Sequence, residues 1–252
     1  VNVATGNATV VTAPNAGTVS GNSALNVGSS VTLTTDGDAS GVWSSSNTSA
    51  ATINSSTGAV SAVAVGNAVM TYTKSASPCS DATATMTINV TNDFLSSGSS
   101  TNWSSTSAWG GGVVPLATGN VTISHDMTVD ANTNTLGTVT VDASKTLTVG
   151  AGNTITAGGA TDINGTLTIA GTGVYDANGA YDATGANTTI SGAGRLQLAS
   201  TVTSLGTASL NSASTVEYDG AGAQTIDDLS AKSSYGNVEI EGGLKNMEGG
   251  TT

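Results

Sequence analysis

Apolar residues recur along the second half of the chain at a fixed interval. Val129, Val149, Ile169, Ile190 and Leu210 lie 20, 20, 21 and 20 residues apart. A second series, Ile155, Tyr175, Leu196 and Val216, runs six residues behind at intervals of 20, 21 and 20. Two positions sharing one period predict a solenoid in which each repeat is one coil stacked on the last. Strand side chains alternate faces, so Met127, Leu147, Leu167, Thr188 and Ala208 point inward with the first series. Between them Thr128, Thr148, Thr168, Thr189 and Ser209 point outward. Ala157, Ala177, Leu198 and Tyr218 face inward behind the second series. The corners between the two strands read GAGN, AGTG, SGAG and NSAS at 150–153, 170–173, 191–194 and 211–214. Glycine and asparagine suit such bends because they tolerate positive φ. Val141, Ile163 and Val202 are expected on a third inward face, since a coil of this length has room for three strands at about 3.3 Å per residue. The expected fold of residues 121–252 is a right-handed parallel β-solenoid with coils of about 20 residues. Past Gly220 the period stretches, Leu210 to Ile240 being 30 residues, which places an insertion within 226–235 where Ile226 and Leu229 still cover the core. The closing GGLKNMEGGTT carries no polar terminal coil, and the solenoid or another module is expected to continue beyond it.

The first half has a different pattern. Between residues 13 and 91 alternating runs appear at Gly17–Gly21, Ser30–Thr35, Gly41–Ser44, Ala50–Asn54, Ala59–Ala64, Ala68–Thr73 and Ala82–Thr91. Seven short strands separated by turn-rich pieces predict a β-sandwich, with Trp43 anchoring its core. Residues 1–12, VNVATGNATVVT, read as a strand, a turn and a second strand. VNVAT is similar to INVTN at 88–92, so these residues are expected to pair with a neighbouring module, from the same polypeptide or from another copy. Residues 92–120 hold Phe94, Leu95, Trp103, Trp109 and Val114 among Gly and Ser, and are expected to form a packed cap on the first coil.

Composition narrows the class. Only 9% of the residues are charged, β-branched residues are abundant, and no sustained helical periodicity appears, so the chain is expected to be folded and all-β. The net charge of −12 leaves five Lys and Arg residues, too few for a nucleic-acid or anionic-membrane surface. No apolar run reaches the length of a membrane helix. Cys79 is the single cysteine, which excludes an intrachain disulfide. There is no initiator Met, basic n-region or apolar h-region, and the expectation is that a secretion signal was removed or lies outside this segment.

The run VWSSSNTSAATINSSTGAVSAVAVGNAVMTYT at 42–73 resembles the bacterial immunoglobulin-like group 2 domain. The matching motifs are Trp43–Asn47, Ala51–Ile53, Gly58–Ala62 and Gly66–Thr71. That resemblance implies an immunoglobulin-like sandwich over 13–91. The leader PNAGTVSGNSALNVGSSVTLTTDG at 14–37 is similar to repeats of large surface adhesins of Bacteroidota, gliding-motility adhesins among them. Those repeats carry one cysteine in the strand holding Asn26 and a second near Cys79; here the first is missing. The Trp–Trp–Pro arrangement ahead of the solenoid also resembles outer-surface proteins exported by the type IX system. What these resemblances imply is an extracellular, structural module of a secreted bacterial adhesin, stalk or filament.

Chemistry-bearing residues are sparse. His125 is the only histidine, with Asp126 and Asp130 near it in sequence, but no nucleophile elbow or similar context singles out a serine. A polysaccharide-cleaving solenoid would bind calcium on acids such as Asp126, Asp130, Asp142, Asp176, Asp182, Asp219, Asp227 and Asp228, with Arg195 as base one coil above Gly173–Asp176. No loop has the spacing of a calcium motif. The outward Thr128–Ser209 ladder is the arrangement an ice-binding solenoid would use, although its second column shows only Thr146 and Thr166, with Asp126 below, and threonine also favours strands for its β-branch. N-glycosylation sequons stand at Asn7, Asn47, Asn54, Asn89, Asn102, Asn120, Asn164 and Asn187. On this reading no residue is assigned a catalytic, cofactor-binding or metal-ligating role. The expected partners are other copies or neighbouring modules joined end to end, with surface glycans as the alternative ligand.

Overall fold

The computed structural model describes residues 11–226, 236–243 and 245–247. Expectations for residues 1–10 and 227–235, Leu229 included, lie outside the described residues. The chain divides into two compact units, Val1–Thr91 and Asn92–Thr252. The described residues are β-structure throughout apart from one 3-10 turn at Thr106–Ala108, and no helix is long and apolar enough to cross a membrane.

The second unit is a β-solenoid of about five coils, built from three long parallel sheets, with Gln224–Ile226 and Lys245–Met247 forming a further parallel pair. Sheet I stacks Asp93–Ser96, Asn120–Ile123, Val139–Val141, Thr161–Ile163, Tyr181–Asp182 and Val202–Ser204. Sheet II stacks Met127–Val129, Thr146–Val149, Thr166–Ile169, Asn187–Ile190 and Thr207–Leu210. Sheet III stacks Thr135–Leu136, Thr154–Ala157, Val174–Ala177, Arg195–Leu198, Thr215–Tyr218 and Asn237–Ile240. The periodic residues meet in register: Val129 pairs with Val149, Val149 with Ile169, Ile169 with Ile190, and Ile190 with Leu210. Ile155, Tyr175, Leu196 and Val216 form the matching column of sheet III. Both columns are buried in one continuous apolar core. Parallel stacking satisfies each backbone group from the neighbouring coil, which leaves the interior to side chains alone.

The third face holds, with one change of column. Val141 and Ile163 pair directly, whereas Val202 pairs with Tyr181, in the column of Val139 and Thr161. A register shift between Tyr181 and Asp182 accompanies this change. Residues 92–120 are more than a cap. Asp93–Ser96 is itself the first strand of sheet I, and Phe94, Trp103 and Trp109 enter the core. Trp103 and Trp109 meet edge to face at 4.8 Å, and the Trp109 indole N–H donates to the Trp103 carbonyl at 3.0 Å. Leu95, by contrast, alternates outward and is 48% exposed. Residues 101–103 finish the first edge of sheet II, Trp103 N–H donating to Thr128 O and Thr128 N–H to Thr101 O.

The first unit has a four-stranded sheet in the order Ala24–Asn26, Ala82–Thr91, Gly66–Lys74, Val42–Ser45. A three-stranded sheet runs Ser30–Thr32, Ala59–Ala62, Ala51–Ile53, and Val19–Ser20 pairs with Thr34–Thr35. Both larger sheets feed one buried cluster that includes Leu25, Trp43, Val60, Met70 and Ile88. Trp43 is buried in it, its ring 4.9 Å from that of Tyr72. The run expected at Ser30–Thr35 is two strands in different sheets, broken at the buried Leu33.

Candidate functional site

The solenoid offers three outward faces with different chemistry. On sheet I the outward positions include Asp93, Asp162 and Asp182, the last two directly stacked. On sheet III the outward ladder runs Thr156, Asp176, Gln197, Glu217, Glu239, beside Thr154, Val174, Arg195, Thr215, Asn237. On sheet II one outward column is Thr128, Thr148, Thr168, Thr189, Ser209. Its neighbour is Thr146, Thr166, Asn187, Thr207. No outward position of the five sheet II strands carries a charge; Asp126, Asp130 and Lys145 stand at the margin of the first coils.

The histidine and its neighbouring acids are not assembled as a nucleophile, base and orienting acid. The His125 ring lies with Nε2 2.8 Å from the Ser100 carbonyl, to which it donates. Its Nδ1 is buried and meets no partner. Asp126 accepts the Thr146 N–H at 2.9 Å. It replaces a carbonyl that later coils supply from backbone, as Lys145 O does for the Thr166 N–H. Asp130 accepts both the N–H and the hydroxyl of Ser104, at 2.9 and 2.7 Å. Burial raises its pKa, but these Ser104 hydrogen bonds outweigh that and hold it below the ordinary carboxylate value. Asp142 accepts the Ser124 hydroxyl. These acids close the first coils by taking up N–H and O–H groups.

The acids considered for calcium are likewise spread out. Arg195 does stack one coil above Val174, but its guanidinium reaches the other way, to Glu217 at 2.6 Å and Glu239 at 2.8 Å. Gln197 donates to the same Glu217 oxygen at 2.9 Å. Hydrogen bonding to Glu217, then to Glu239, raises the Arg195 pKa against the opposing effect of burial. A guanidinium held in that way is an ion-pair partner for stacked carboxylates, not a proton acceptor. Among the described residues, no three His, Cys, Asp or Glu side chains gather where they could hold a metal ion. Asp227 and Asp228 lie outside the described residues.

Of the sequons, Asn47 and Asn120 use their amide groups on Asn67 O and on Asp93 Oδ1. Asn54, Asn89, Asn102, Asn164 and Asn187 are exposed, and Asn7 is outside the described residues.

The remaining feature is the hydroxyl array of sheet II. A shallow groove of about 310 Å³ opens on its first coils, lined by Thr101, Asp126, Met127, Thr128, Thr146 and Thr148. The second column expected from sequence held only Thr146 and Thr166; stacking adds Asn187 and Thr207, each two residues before its first-column neighbour. No family model matches the chain, and no curated protein matches it.

Proposed function

We propose that this chain is a structural module of a secreted bacterial surface adhesin, stalk or extracellular filament, with neighbouring modules or further copies as its structural partners. The observation that carries this reading is the use made of the polar groups in the solenoid. Asp126 and Asp130 take up backbone N–H groups, Glu217 and Glu239 pair with the one arginine, and among the described residues the interior is one continuous, mainly apolar core. Such a body displays three outward faces on that core. In the first unit, the motifs at 42–73 and the packing of Trp43 between two sheets support an immunoglobulin-like group 2 domain. The sparing use of charge and the exposure of Asn, Ser and Thr side chains support an extracellular setting.

The competing reading is a glycan-binding or polysaccharide-cleaving solenoid. Incubating the purified chain with polyuronates and with a glycan array separates the two. No cleavage and no saturable glycan binding are expected. Turnover of a polyuronate, lost on Arg195→Ala, overturns the structural reading.

A further inference from the structure

We propose that the outward face of sheet II binds the ordered water of an ice surface. The face is a two-dimensional lattice. Its two columns place hydroxyl or amide groups at Thr128, Thr148, Thr168, Thr189 and Ser209 and at Thr146, Thr166, Asn187 and Thr207. Every one of these positions is paired in register with its neighbour, without a bulge. Parallel strands therefore repeat the groups about every 4.8 Å along one direction, and alternate residues repeat them about every 6.6 Å along the other. A β-branched side chain has few χ1 choices, so each threonine hydroxyl and methyl is held in place by the sheet beneath it.

Charge is sorted by face. The chain carries a net −12, yet the acids on outward strand positions fall on sheets I and III: Asp93, Asp162, Asp182, Asp176, Glu217 and Glu239. The only arginine is also on sheet III. The outward strand positions of sheet II carry no charge, Asp126 standing at the first edge of the lattice with its carboxylate on the Thr146 N–H, so the partner of the lattice is electrically neutral and repeats in two dimensions. Methyl groups order the water around them, while hydroxyls tie that water to the lattice at fixed points; an ionised group would impose its own hydration instead.

Two other neutral occupants fit less well. A second copy docked face to face would cover about 300 Å² per partner, from five strands of three or four residues. Stable pairs need about 800 Å² per partner. A crystalline polysaccharide is also a neutral lattice, but proteins hold sugar rings largely by aromatic stacking, and no outward position of this face is aromatic.

The test uses the full 252-residue chain. Fluorescently labelled protein is present while an ice hemisphere grows slowly, and recrystallisation of fine-grained ice is followed separately. The chain is expected to be enriched in the ice and to arrest grain growth. Thr148→Lys and Thr168→Lys, each changing an outward side chain, should lower both effects at least tenfold, whereas Thr154→Lys on sheet III should not. Circular-dichroism melts establish that each variant is folded, and if one fails to fold the other probes the same face. Exclusion of the unchanged chain from ice overturns the proposal. So does full activity in a folded Thr148→Lys or Thr168→Lys variant, or retention on microcrystalline cellulose or chitin without any effect on ice. None of these results bears on whether the module is structural, because the glycan and polyuronate assays read that independently.

Discussion

Tyr175 and Tyr181 place two phenols inside a core otherwise dominated by aliphatic side chains. Their rings meet edge to face at 6.3 Å. Each hydroxyl has one neighbour to satisfy it, Thr161 at 3.0 Å for Tyr175 and Thr188 at 3.3 Å for Tyr181. Burial, opposed by those hydrogen bonds, pushes both hydroxyls far above the ordinary tyrosine value of 10.0. The folded state therefore binds these protons more tightly than the unfolded chain. Their contribution is complete below the unfolded value and drains away as the pH rises above it. Stability is expected to be flat from neutral pH to about 9 and to fall steeply past about 10. Phenolate absorbance of this pair should appear together with loss of the circular-dichroism signal. Ionisation of all five tyrosines near 10 in a still-folded chain would show that the pair is not buried as described. Sequence alone exposed part of this arrangement. Thr188 falls at an inward step of the period, an anomaly in an apolar column, but its partner Tyr181 lies across a corner and belongs to neither periodic series. Strand alternation reports which way a side chain points and says nothing about what meets it from the next sheet.

Corners obey a different constraint from strands. Gly152 has φ +78° with nothing within 4 Å of an added Cβ, so its cost on substitution is conformational. Gly179 needs no positive φ, yet a Cβ there would lie 2.1 Å from the Gly159 carbonyl oxygen of the coil below. Backbone cannot yield as a side-chain tip can. Gly152→Ala should cost about 1 kcal/mol, and Gly179→Ala about 3 kcal/mol because stacked coils must part. Chemical denaturation of both variants reads the difference, and equal costs would contradict the close approach at Gly179. Positive φ was a sufficient reason to expect glycine at 150–153, 170–173 and 191–194, where Gly152, Gly171 and Gly192 adopt it. It gave no reason to notice Gly179, whose role depends on contact with the coil beneath. The same limit applies in the first unit. Ala24–Asn26 has one large apolar residue, Leu25, and falls outside the seven alternating runs, yet it pairs in parallel with Asn89–Thr91. The hydroxyl array was legible throughout: the period gives the first column, and the positions two residues earlier, Asn187 and Thr207 included, give the second.

At the scale of the whole solenoid, each coil touches only the coils before and after it, so stability is close to a sum of coil and nearest-neighbour terms. Ile169 sits near the middle of that series, fully buried and in register between Val149 and Ile190. Replacing it by alanine removes three methylene-sized groups from a close-packed column and should cost about 2–5 kcal/mol. The position of the loss matters more than its size. In a globular core the defect would lower protection everywhere, because the fold opens as one body. In a stack it weakens two interfaces, and coils farther away keep their own neighbours. Native-state hydrogen exchange on Ile169→Ala should therefore show the largest loss of protection at 146–149, 166–169 and 187–190. The loss should taper toward Met127–Val129 on one side and Thr207–Leu210 on the other. A uniform drop over all five strands of sheet II would mean that the coils open together, and that the nearest-neighbour description fails for this chain.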